Sequence, residues 1–86
     1  MARLNPNEQE YLHGLNNEVM SNINNAIDLL CKSKYLLERC EVYALEISAI
    51  NDRISQAMTM AISARIRSGE FREEIRSGEI STEGFY

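Results

Sequence analysis

The chain has 86 residues, and 9 Lys and Arg against 13 Asp and Glu leave a formal net charge of −4. This length corresponds to one small domain, which buries only ~60–65% of its unfolded surface and so has a thin core of its own. The acidic balance argues against broad, sequence-independent binding to nucleic acid, which depends on phosphate-neutralising Lys and Arg. These constraints favour a small protein that gains stability by association.

Neither a secretory leader nor a membrane span is expected from the sequence. Arg3, Glu8 and Glu10 fall where a signal peptide has its apolar segment, and the longest strictly apolar run is Val42–Leu45. We expect a protein of the cytoplasm, either of the producing cell or of an infected host cell, with no contact to a membrane.

The two cysteines are expected to be reduced. Cys31 and Cys40 would lie ~13 Å apart along the axis of one continuous helix, which is beyond the reach of a disulfide. We expect both to be small core residues.

A long helical segment begins near Pro6. Asn5 is a suitable N-cap, Pro6 suits the first helical position, and Glu8 lies in the first turn, near the positive end of the helix dipole. The fifty-four residues from Leu15 to Ser68 contain neither Gly nor Pro, which strands and their turns normally need. The sequence therefore predicts an all-α fold.

A heptad pattern runs through this segment without a slip when Ile23 is taken as position a. Positions a are Asn16, Ile23, Leu30, Leu37, Ala44, Asn51, Met58 and Arg65, and positions d are Leu12, Val19, Ala26, Ser33, Cys40, Ile47, Ile54 and Ala61. The unbroken count favours one long helix over about residues 6–68. The mean helix is only ~11–12 residues, which favours a hairpin with its turn in Cys31–Lys34 or Glu38–Glu41. Both alternatives stay open.

The apolar stripe extends from positions a and d into positions g and e, which is wider than a two-stranded seam requires. A chain with at most two long helices then needs further helices to cover it, so we predict an oligomeric bundle, most simply a homodimer. A buried Asn51 at position a would fix register and subunit number. The predicted oligomer seam consists of Ile47, Asn51, Ile54, Met58 and Ala61.

The C-terminal part contains a short repeat. The sequence Ile-Arg-Ser-Gly-Glu occurs at residues 66–70 and again at 75–79, and each Gly is suited to the left-handed position after a helix end. We predict that Gly69 ends the long segment, that a short helix covers about residues 70–77 and that Gly78 ends it. This divides the chain into one helical domain, 1–78, and a flexible tail, 79–86.

The sequence contains no pattern typical of catalysis or of a cofactor. The single histidine, His13, lies early in the first helix, no Cys-x-x-Cys pair is present, and no Gly-rich phosphate loop occurs. We therefore expect no enzymatic activity, no metal site and no cofactor.

A local basic cluster supports an alternative function. Arg72 and Arg76 share a helix face, and Phe71 beside them could stack on a base, although four glutamates are interleaved. The residues that could contact phosphate or an acidic partner are Arg65, Arg67, Phe71, Arg72 and Arg76. The competing interpretation is a solvated helix with intrahelical ion pairs.

Two neutral stretches point to protein binding. Residues 54–64 carry no charge and residues 11–27 carry only Glu18, whereas a fully solvated helix normally has charges on its outer face. The predicted partner-binding residues are Asn17, Ser21, Asn24, Thr59, Met60 and Ser63.

The main prediction is a non-enzymatic module that self-associates and masks or bridges a surface on a partner protein. An inhibitor (for instance, one encoded by a phage against a host machine), an adaptor and a chaperone all fit it. The alternatives are a nucleic-acid or nucleoprotein binder and a structural subunit of a larger helical assembly.

Overall fold

The fold is a hairpin of two long antiparallel helices. The structure, a computed structural model, describes residues 2–42 and 44–80. Helix α1 spans Pro6–Glu38 and helix α2 spans Leu45–Ser77. Strands β1, Ala2–Arg3, and β2, Glu79–Ile80, pair where the two ends of the hairpin meet. The molecule measures 57 × 25 × 14 Å between Cα atoms, so it is a flat rod with a terminal end and a turn end.

Helix α1 begins as the sequence predicts. The side chain of Asn5 accepts a hydrogen bond from the Glu8 backbone N–H at 2.8 Å, and the Glu8 carboxylate accepts one from the Asn5 backbone N–H at 3.1 Å. This reciprocal arrangement is a capping box, which satisfies two amide donors that a helix start otherwise leaves free. Pro6 occupies the first turn, as expected.

Of the two arrangements left open, the structure has the hairpin. Helix α1 ends at Glu38 with Arg39 as its C-cap, and α2 begins at Leu45 after Ala44. The turn therefore lies just after Glu38, at the second of the two predicted places. The heptad count continues across the six-residue connection from α1 into α2. An unbroken count is therefore compatible with two helices as well as with one.

The prediction that Gly69 ends a helix is wrong. Helix α2 runs through Gly69 to Ser77, so there is no separate C-terminal helix over residues 70–77. Glycine inside a helix costs only ~1 kcal/mol relative to alanine, and the neighbouring Ser68 is held in the interior by α1. Gly78 does end α2 in the left-handed region, with φ of +83°, as predicted.

The two short strands close the terminal end. Ala2 pairs with Ile80 and Arg3 with Glu79, and the Leu4 backbone N–H donates to the Gly78 carbonyl oxygen at 2.7 Å. The sequence analysis assigned residues 79–86 to a flexible tail. Residues 79 and 80 instead form β2, and residues 81–86 lie outside the described part of the chain.

Burial is concentrated near the terminal end. Ile75 has 0% exposure, and Asn16 and Ser68 are the other buried residues of the described chain. No described side chain between residues 17 and 67 is buried, so the packing of the hairpin loosens towards its turn. Cys31 and Cys40 are free and exposed, which corrects their prediction as core residues. Neither described helix combines the length and the apolarity that crossing a membrane requires.

Candidate protein-binding surfaces

The apolar residues of α1 occupy four heptad positions, a, d, e and g, and each position forms a column along the helix. Two of these four columns face α2. The half-buried and buried residues of α1 recur at positions a and e of the heptad, from Gln9 to Leu37. Positions d and g are exposed from Leu15 onwards, although they are as apolar as the covered columns. From Leu15 onwards the d column of α1 therefore does not contribute to the packing of α1 on α2. A helix that packs on one neighbour covers only one side of a wide apolar stripe.

Helix α2 turns positions a and d towards α1. The predicted oligomer seam lies here, and all of its members are half-buried: Ile47, Asn51, Ile54, Met58 and Ala61. These residues line the contact between the two arms of one chain. Part of the surface of these residues is therefore already covered within the chain.

The apolar columns that the hairpin leaves mostly exposed form what we call the side face; Ala57 is its half-buried member. It consists of Leu15, Val19, Ala26, Leu29 and Leu36 of α1 with Ile50, Ala57 and Ala64 of α2. Leu29 and Leu36 are 63% and 65% exposed. The two arms border a common groove here, of about 420 Å³, whose lining includes Leu30, Ile50 and Ala57. Positions d and g of α1 and g of α2 from Leu12 to Phe71 contain no charged residue.

The opposite side of the hairpin is polar along α1. The Arg65 guanidinium donates to Asn24 Oδ1 at 3.4 Å, and the Arg72 guanidinium lies 2.9 Å from Met20 Sδ. Asn24 occupies position b of α1, which points away from d and g. Helix α2 exposes Ile62 and Ile66 on this side, so it is α1 that is amphipathic across the width of the hairpin.

A second apolar area lies at the turn end, which we call the tip. Val42 is 70% exposed and Leu45 is 74% exposed, and Tyr35 is exposed beside them. Both Val42 and Leu45 belong to the longest apolar run of the sequence, which was considered only as a membrane segment. Its position between two helices was the signal that an exposed apolar area lies there.

The tip contains a cleft of about 250 Å³, which we call the tip cleft. Its wall includes Leu37, Val42 and Ile47, with Glu38 and Glu41 at its edge. Asn51 also lines it, and the Asn51 Oδ1 atom is buried without a hydrogen-bond partner among the described residues. The cleft is lined mainly by apolar side chains and therefore suits an apolar group.

The predicted partner-binding residues do not form one surface. Asn17, Ser21 and Asn24 are exposed in one row on the polar side of α1. Thr59 is exposed on α2, but its hydroxyl donates to the Ser55 carbonyl oxygen at 3.1 Å, so its polar atom is already used. Ser63 and Met60 are exposed as well, and Met60 lies one turn from Ala57 and Ala64 of the side face.

The basic cluster is engaged within the chain. Arg67 pairs with Glu70 at 3.8 Å and Arg76 with Glu73 at 3.5 Å, both as exposed ion pairs three residues apart. Arg65 and Arg72 bond to α1 as described above, and Phe71 is half-buried. This arrangement matches the intrahelical ion pairs weighed against a phosphate site.

No described group of three or more His, Cys, Asp and Glu side chains is arranged to hold a metal ion. His13 is half-buried in α1 and stands apart from both cysteines in the sequence. Comparison of the chain with models of protein families, with curated proteins and with solved structures finds no match.

Proposed function

We propose that this protein is a non-enzymatic binding module that self-associates through its side face and covers or bridges a partner protein with its tip. One observation carries the proposal. The hairpin has one fully buried apolar side chain, Ile75, in its described part, whereas twelve large apolar side chains are exposed. A protein that worked as an isolated monomer would leave an unusually large share of its apolar surface in water.

The tip is the partner surface in this proposal. Val42 and Leu45 provide exposed apolar area, and the cleft beside them has room for an apolar side chain. Glu38 and Glu41 border the cleft, so a basic residue next to the inserted group adds favourable charge contacts. The expected ligand is an apolar segment of a protein flanked by Lys or Arg.

Three modes of action are consistent with this surface, and they differ in what binding does to the partner. An inhibitor would cover a working surface of its target, an adaptor would join two proteins, and a chaperone would cover a helix until its release. Each mode needs a binding surface and no reaction, so the tip is compatible with all three.

In-cell photo-crosslinking tests the proposal. A photoreactive amino acid at Val42 is expected to capture a partner protein in the cells that produce this chain, and the same group at Gln56, exposed on the outer side of α2, is the control. Val42→Glu with Leu45→Glu should abolish capture from a third tip position, Tyr35. Capture of the same protein from Val42 and Gln56 alike, or capture that survives the double substitution, would contradict a partner site at the tip.

A further inference from the structure

We infer that the side face is occupied by a second copy of this chain, with the two hairpins antiparallel in a four-helix bundle. The inference rests on the self-association in the proposed function and specifies its surface and orientation. The side face measures about 40 Å by about 20 Å, from the helical rise between Leu12 and Leu36 and the width of two helices. This is close to the ~800 Å² that each partner contributes to a stable interface.

The charges at the edge of the side face select the antiparallel orientation. Position c borders position g, and in α1 this column contains Glu18, Asn25 and Lys32. When two such helices pack antiparallel through positions d and g, the c columns meet along one edge. A two-fold axis through Asn25 then places Glu18 of one protomer opposite Lys32 of its partner.

The second arm gives the same result independently. In α2 the c column contains Glu46, Arg53, Met60, Arg67 and Glu74. An axis midway between residues 63 and 64 places Arg53 opposite Glu74 of the partner protomer and Met60 opposite the partner protomer's Arg67. One axis can serve both arms, because Asn24 and Arg65, which lie beside the two midpoints, are hydrogen-bonded to each other across the hairpin.

A parallel arrangement brings like charges together. With the two-fold axis along the helices, α1 of one protomer would lie on α2 of its partner, so Glu18 and Lys32 could no longer pair and Lys32 would approach the partner protomer's Arg53. Like charges side by side at an interface are strongly unfavourable. Lys32 already pairs with Asp28 at 2.9 Å on the exposed surface, and its three donors leave capacity for a carboxylate of the partner protomer.

Small residues lie near the proposed axis. Ala26 of α1 and Ala64 of α2 adjoin the two midpoints and allow the helix backbones to approach closely. The larger Leu15, Val19, Leu29 and Leu36 then pack on either side of the centre. In this bundle the two tips point in opposite directions, so the dimer presents two partner sites at its far ends.

Sedimentation equilibrium and disulfide trapping test the inference on the full chain. Wild type is expected to have twice its 9.8 kDa mass. Leu29→Lys with Leu36→Lys should weaken the dimer by at least ~100-fold, because four apolar side chains per dimer are lost from the interface. The matched control is Asn17→Lys with Ser21→Lys on the polar side, which should leave the dimer intact.

Orientation is read from cysteines in a Cys31→Ser, Cys40→Ser background. Glu18→Cys is expected to form a disulfide when mixed with Lys32→Cys and not with itself, whereas a dimer with its axis along the helices would give neither disulfide, because α1 would then lie on α2 of the partner. Ser21→Cys, on the polar side, should stay reduced.

A wild-type chain that is monomeric at every concentration would overturn the inference. So would a dimer in which Glu18→Cys and Lys32→Cys form no mixed disulfide, open-ended growth, or a dimer that survives Leu29→Lys with Leu36→Lys. Partner capture from Val42 by such a monomer would leave the tip proposal standing, so the two failures are distinguishable.

Discussion

Asn16 of α1 and Ser68 of α2 are joined by two hydrogen bonds in the interior of the hairpin. The Ser68 hydroxyl donates to Asn16 Oδ1 at 2.7 Å, and Asn16 Nδ2 donates to the Ser68 carbonyl oxygen at 3.0 Å. Both residues are buried. Sliding one helix past the other by a residue would break both bonds and leave buried polar atoms unpaired, so this pair sets the register of the two arms.

Asn16→Ala should destabilise the hairpin by about 1–3 kcal/mol, because it leaves the buried Ser68 hydroxyl without its partner. The loss is measured as a lower midpoint of urea unfolding with an unchanged slope. Asn17→Ala, at an exposed neighbouring position, is the control and should change stability by less than about 0.5 kcal/mol. Equal effects of the two substitutions would show that the buried bonds do not contribute.

The double variant Asn16→Leu with Ser68→Ala should recover most of the stability lost in Asn16→Ala. Replacing both members of a buried polar pair by apolar groups removes the unsatisfied atom instead of creating one. Thermal unfolding by circular dichroism compares the three proteins. A double variant less stable than Asn16→Ala would contradict this explanation.

The two glycines of the repeated pentapeptide should respond in opposite directions to alanine. Gly78 has a φ of +83°, and a Cβ there would lie 3.2 Å from the Gln9 amide nitrogen, so Gly78→Ala should cost about 1–2 kcal/mol. A Cβ at Gly69 meets open space inside a helix, so Gly69→Ala should stabilise by up to about 1 kcal/mol. The free energies of unfolding of the two variants provide the comparison, and a stabilised Gly78→Ala would refute the left-handed cap.

Ile75→Ala should be among the most damaging apolar truncations in the chain. Ile75 has no exposed surface, and removal of a fully buried isoleucine to alanine costs about 2–5 kcal/mol through lost burial and the cavity left behind. Ile66→Ala in the same helix is the control, because Ile66 is exposed. Chemical denaturation at one protein concentration separates the two, and similar losses would mean that the terminal end is not the packed part of the molecule.

Asn51→Leu should raise the stability of the hairpin by about 1 kcal/mol, since it removes a buried acceptor that has no partner among the described residues. The sequence analysis expected Asn51 to control subunit number. Because Asn51 faces the other arm of its own chain, we expect the oligomeric mass to stay the same while the melting temperature rises. Light scattering and calorimetry on the variant measure both quantities, and a changed mass would restore the register role.

Local features of the fold were predictable because they depend on neighbouring residues. The capping box at Asn5 and Glu8 follows from their spacing, and the left-handed Gly78 follows from its place after a helix end. Gly69 occupies the same local sequence and was predicted wrongly, since the contact that carries α2 through this region comes from Asn16, 52 residues away. Identical pentapeptides thus have different structures because their distant partners differ: Asn16 bonds to Ser68 of the first, whereas Leu4 bonds to Gly78 of the second.

The sequence by itself determined the all-helical class, the apolar columns and the shortage of charge along two stretches, because these depend on composition and on the 3.6-residue period. Only the tertiary structure decided which columns the two arms cover for each other and which stay in water. A hairpin arm has one neighbour, and one neighbour covers about half of a four-column stripe. The rotation of α1 about its own axis, set by buried contacts such as that of Asn16 with Ser68, therefore leaves Leu29 and Leu36 exposed while Ile23 and Leu30 are half-covered.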